Sequence, residues 1–97
     1  MTLVYLVELY ELNSKAKQEK IATFVMREDF PGNVSIEGNH DHPVVVAIKG
    51  EGVFDYKYAK PNKLFPWDGM VFLENLKYHF RSGYLLATDI QKKTIDI

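Results

Sequence analysis

The chain has 97 residues, 46% hydrophobic and 13% aromatic, which is enough for one compact core and too little for two, so a single globular domain over 1–97 is expected. Twelve basic residues stand against thirteen acidic ones, and a formal charge of −1 supplies no overall field toward nucleic acid or an anionic membrane. The lack of cysteine excludes disulfides, thiolate metal sites, thiol nucleophiles and iron–sulfur clusters, and it fits a reducing, cytoplasmic setting.

Thr2–Leu12 alternates Leu3, Tyr5, Val7 and Leu9 on one face against Val4, Leu6, Glu8, Tyr10 and Leu12 on the other. Both faces are largely apolar, which predicts a central strand. Glu8, Glu11 and the lack of a basic flank argue against a signal peptide or a membrane span here. Asn13–Asp29 reads two ways. NSKAKQEK opens like a capped helix that would set Ile21, Phe24 and Val25 on one stripe, whereas IATFVM suits the return arm of a hairpin; the helical reading leads. Val34–Glu37 and Pro43–Lys49 are strand-like, separated by the turn formers Gly38-Asn39-His40-Asp41-His42. Lys49-Gly50-Glu51-Gly52 then reads as a hairpin connection into a strand over Val53–Ala59, followed by a proline-containing loop.

Pro66–Gly83 carries the clearest signals in the chain. Asp68 is placed to cap a helix, Trp67 and Phe72 have hydrophobic-staple spacing, and Lys77, His79 and Arg81 suit the negative end of the dipole before Gly83. Winding the segment puts Met70, Phe72, Leu73, Leu76 and Phe80 on a core-facing arc. Trp67, Val71 and Tyr78 form a second, narrower strip. A strand over Tyr84–Ile90 and a short TIDI tail complete the chain. The order strand, helix, strand, strand, helix, strand predicts an α+β ferredoxin-like βαββαβ sandwich, an antiparallel sheet with both helices on one face. With a hairpin arm at 13–29, the prediction becomes an antiparallel β-meander packed on a single C-terminal helix.

Gly38-Asn39-His40-Asp41 resembles the GNHD tetrapeptide of metallophosphoesterases, which would make Asn39 and His40 the matching positions, but the other metal-binding blocks of that family have no counterpart in the chain. His40 and His42 flank Asp41, and in an extended segment both imidazoles would face one side, making them candidate metal ligands. Glu37 or His79 would have to complete such a site. His40, Asp41, His42 and His79 are for the same reason the candidate acid–base groups.

Val4–Leu9 and Lys49–Tyr56 resemble the paired motifs of RNA-recognition domains. Two of the positions that stack bases in that family are Glu51 and Val53 here, leaving Tyr5 alone able to stack. The rhythm of Arg27–Gly32 and the strands after it is similar to small thioredoxin-like selenoprotein-W-type proteins. Tyr10-Glu11-Leu12-Asn13 stands where that family has its redox pair, so the resemblance implies no redox chemistry.

The sequence therefore favours a non-catalytic protein-interaction domain without a cofactor, acting as a homodimer or as a subunit of a complex. Its expected contact residues are Leu3, Tyr5, Val7 and Leu9, on a sheet face left open by the helices, and Trp67, Val71 and Tyr78. A metal-dependent enzyme or small-ligand binder built on the 40–42 loop is the alternative, and single-stranded nucleic-acid binding the third reading.

Overall fold

A computed structural model describes residues 2–49, 63–81 and 83–95. The chain is α+β, and its described residues form a five-stranded antiparallel sheet and two helices. In order these are β1 (Thr2–Leu12), β2 (Gln18–Arg27), β3 (Val34–Gly38), α1 (Pro43–Lys49), α2 (Asp68–His79), β4 (Leu85–Ala87) and β5 (Gln91–Ile95). The sheet order is β3-β2-β1-β4, with β5 beside β4 on the same edge of β1. This order differs from the ferredoxin-like one and matches the meander reading for the first three strands.

The difference begins at Asn13. Its side-chain oxygen accepts the N–H groups of Lys15 and Lys17 at 2.9 and 3.0 Å, so the group that could cap a helix closes a hairpin instead. Ala16 completes the turn with φ of 59°. The arm that follows pairs with β1 from Val4 opposite Arg27 to Leu12 opposite Gln18, with a bulge at Ile21 between the Leu9–Ala22 and Tyr10–Lys20 pairs.

Pro43–Lys49 is also a correction, from strand to helix. His42 caps it: the imidazole Nδ1 accepts the Val44 N–H at 3.2 Å, and the His42 carbonyl accepts the Val46 N–H at 2.9 Å. Pro43 then occupies the first helical position, where its fixed φ suits and its missing N–H costs nothing. Val45 and Ile48, three residues apart, reach the core and outweigh the weak helix propensity of the valines.

Helix α2 runs inside the predicted bounds, with altered caps. Trp67 is the N-cap residue and makes no side-chain cap, Asp68 is already helical, and the free Gly69 N–H is taken by the Pro31 carbonyl at 2.8 Å. The helix ends at Phe80, whose N–H donates to Leu76; Gly83, at φ of 93°, turns the chain into β4. Met70, Phe72, Leu73, Leu76 and Phe80 are all buried as the winding predicted. Full burial of such side chains is worth about 1.5–3 kcal/mol each.

Both helices lie over the face of β1 that carries Tyr5, Val7 and Leu9, together with Ala22, Phe24 and Met26 of β2. Val7 is 0% and Leu9 1% exposed, and Val71 of α2 is 8% exposed within the same core. These three residues, expected at an interface, are core residues of one chain. The strand predicted over Val53–Ala59 and its hairpin connection after Lys49 lie outside the described residues. The tail, expected as a separate element, belongs to β5 through Thr94 and Ile95, which pair with Leu3 and Thr2 of the same chain.

Candidate functional site

His40, Asp41 and His42 do not converge. Asn39 holds the turn through its side-chain oxygen, which accepts the Asp41 N–H at 3.1 Å. His40 Nδ1 accepts from Lys49 Nζ at 3.1 Å on the surface. His42 turns the other way. Because its Nδ1 accepts a backbone N–H, Nε2 carries the proton and donates to Glu11 Oε2 at 3.0 Å. Both of its nitrogens thus serve to hold α1 against β1. His79, at the far end of α2, stacks edge-on against Phe80 with 4.9 Å between centroids. Among the described residues, no group of three or more His, Asp or Glu is arranged to hold a metal ion.

The expected contact residues are likewise dispersed. Tyr5 and Trp67 lie together, half-buried, with centroids 6.5 Å apart, and Leu3 is half-buried at the start of β1. Tyr5 therefore faces the helices. Tyr78 is exposed, with Lys77 and Arg81 over its ring at 5.9 and 5.5 Å. Lys77 also reaches Asp89 at 3.4 Å.

On the opposite sheet face lies a polar cluster centred on Glu8, which sequence reasoning missed. Its carboxylate accepts from the Tyr10 hydroxyl at 2.9 Å and the Gln91 amide at 3.2 Å, and Lys20 lies at 3.5 Å. The Tyr10 hydrogen bond, opposed by desolvation and aided by Gln91 and Lys20, holds the Glu8 carboxyl below its ordinary value. Tyr10 is raised in turn. Arg27 and Asp29 form a second satisfied pair, bidentate at 3.0 and 2.7 Å, which lowers Asp29 and raises Arg27.

Edge strand β3 is different, because its binding capacity is not consumed within the described fold. The Asn39 N–H donates to the Ile21 carbonyl and the Glu28 N–H to the Leu3 carbonyl, each at 2.9 Å. Antiparallel alternation from either bond makes Thr23–Glu37 and Val25–Ser35 the hydrogen-bonded pairs of β2 and β3. The N–H and C=O groups of Val34 and Ile36 therefore point away from β2. Among the described residues nothing pairs with them.

Beside this edge runs a groove of about 380 Å³ lined by Asn33, Val34 and Ile36 from β3, Ile48 and Lys49 from α1, and Phe72 from α2. An open strand edge flanked by an apolar groove is the geometry by which extended chains are taken up as an added strand. The period-2 pattern of Val34-Ser35-Ile36-Glu37 was the available signal, since it sets Val34 and Ile36 on one face. No protein family, curated protein or solved structure matches the chain.

Proposed function

We propose that this chain is a protein-interaction domain with no catalytic role, working as a homodimer or as a subunit of a complex. The observation that carries the proposal is the β3 edge, where outward backbone groups of Val34 and Ile36 adjoin the apolar groove under α1. A partner strand there would gain main-chain hydrogen bonds on one side and side-chain burial on the other. The histidines add support from a different direction, because the described contacts of His40 and His42 are structural.

Light scattering across a concentration series is the direct test. Mass rising from one chain toward two is the expected result for the homodimer form. A mass fixed at one chain at every concentration would remove that form and leave only a heterologous complex.

A further inference from the structure

We propose that the occupant of the β3 edge is the β3 edge of a second copy, paired antiparallel about a two-fold axis at Ile36. The proposal rests on the protein-interaction reading above and adds its partner and register. Antiparallel edge pairing has its dyad perpendicular to the sheet, so it is isologous, with the same groups on both sides.

With the axis at Ile36, the two Ile36 residues form a hydrogen-bonded pair, each donating its N–H to the other's carbonyl, and Val34 stands opposite the partner's Gly38. These are the residues whose backbone groups alternation turns outward. Ser35 then faces the partner's Glu37 in a non-hydrogen-bonded pair, where side chains approach most closely. A hydroxyl meets a carboxylate at both symmetric positions, and no like charges oppose. The register is thus complementary to itself in its backbone groups and sets no like charges of the two strands directly opposite.

The rest of the edge agrees. The two helical layers would lie on one side of the continuous sheet, with both α1 helices flanking the dyad. Val46 of α1 is 54% exposed and lies three residues from Lys49, on the flank of the helix that lines the groove. Val46, Val34 and Ile36 supply apolar surface that five residues of strand pairing would lack alone. The opposite sheet edge is unsuited to the same use. There β4 and β5 are interrupted at residues 88–90, and β5 carries Lys92 and Lys93. Breaks and lysines are features that discourage edge pairing, and β3 has neither.

Sedimentation equilibrium of the full chain tests the register. Ser35 and Glu37 are exposed, so their replacement leaves the fold intact, which circular dichroism verifies. Ser35→Glu would set two carboxylate pairs face to face and is expected to raise the dimer Kd about 2- to 30-fold. Ser35→Glu combined with Glu37→Lys restores opposite charges and is expected to bring Kd back to the wild-type value or below. Ile36→Pro removes an outward N–H that β2 does not use and is expected to abolish the dimer. A wild-type dimer whose Kd none of these changes would overturn the β3 register while leaving self-association through another surface. A wild-type monomer at millimolar concentration would overturn the inference and the homodimer form together.

Discussion

Replacing Gly69 with alanine sets two effects of known size against each other. In a helix interior, alanine is better than glycine by about 0.8–1.0 kcal/mol, so propensity alone predicts a gain. Gly69, however, lies where α2 touches the sheet. A Cβ there would stand 2.5 Å from both Cγ and Sδ of Met26 and 2.7 Å from the Pro31 carbonyl oxygen. Ordinary separations for such contacts are about 3.5–4.0 Å, so the helix end must retreat by roughly 1 Å or Met26 must leave its place. Retreat breaks the 2.8 Å bond from the Gly69 N–H to Pro31, worth about 0.5–1.5 kcal/mol. Displacing Met26, which is fully buried, is overpacking and costs about 1–3 kcal/mol. The Pro31 carbonyl has to be relieved whichever way Met26 moves, so both costs apply, and after the propensity gain is subtracted a net loss of roughly 0.5–3.5 kcal/mol is expected. Urea unfolding followed by the fluorescence of Trp67, the single tryptophan, measures it. Combining Gly69→Ala with Met26→Ala should be non-additive, since the second change relieves one clash and leaves the carbonyl. A Gly69→Ala protein as stable as wild type would refute the close docking of α2 on β2.

The same assay reaches four other positions. Gly38 has φ of 120°, and a Cβ would meet the Ile21 carbonyl oxygen at 2.6 Å and the Ala22 Cα at 2.9 Å, so Gly38→Ala should cost about 2–4 kcal/mol. Gly32→Ala, with nothing within 4 Å of its Cβ, should stay within about 0.5 kcal/mol of wild type. His42→Ala removes the cap of α1 and the tie to Glu11 and should cost about 1–2 kcal/mol, with His42→Asn recovering the capping part; equal stability of all three proteins would contradict a structural imidazole. Glu8 has a folded-state pKa below its unfolded value, so its contribution is complete above the unfolded pKa and is lost as pH falls through the folded one. Glu8→Gln should therefore differ from wild type most at neutral pH and converge with it in acid, and Tyr10→Phe should move the loss to higher pH.

Helix α2 was legible because its information is local: an apolar arc of period 3.6, cations in the last turn and a staple spacing all lie within one segment. Asn13 shows where local information fails. An asparagine side chain caps a helix and closes a hairpin through the same acceptor oxygen, and only pairing with β1 decides between them. Pro43–Lys49 failed for the converse reason. Its valines favour strands, yet His42 and Pro43 give good helix-start geometry, and burial of Val45 and Ile48 settled the competition. Of the candidate site, the apolar character of Val7, Leu9 and Val71 was read correctly and their location was not. Hydropathy marks a side chain for burial without saying whether its own chain or another will cover it.

Two one-residue irregularities explain why alternation was hardest to follow on β1's two neighbours. At Ile21, the bulge lets two consecutive residues, Ile21 and Ala22, both be buried, and it places Lys20 opposite Tyr10, from where it reaches Glu8. On the other side, Leu9 faces Ala87 while Leu6 faces Gln91, so Val7 and Glu8 of β1 span three residues, Thr88, Asp89 and Ile90. Glu8 holds the join, donating to Thr88 Oγ1 at 3.0 Å and accepting the Thr88 N–H at 2.9 Å. Without the extra residue, Asp89 would face the core opposite Val7. With it, Ile90 packs against the core and Asp89, 88% exposed, reaches Lys77 of α2. The break that admits a charged residue without burying it also interrupts this edge of the sheet. Strand β3 pairs with β2 from Val34 to Gly38 without a register shift, and its outward N–H and C=O groups consequently keep the regular spacing that another strand could match.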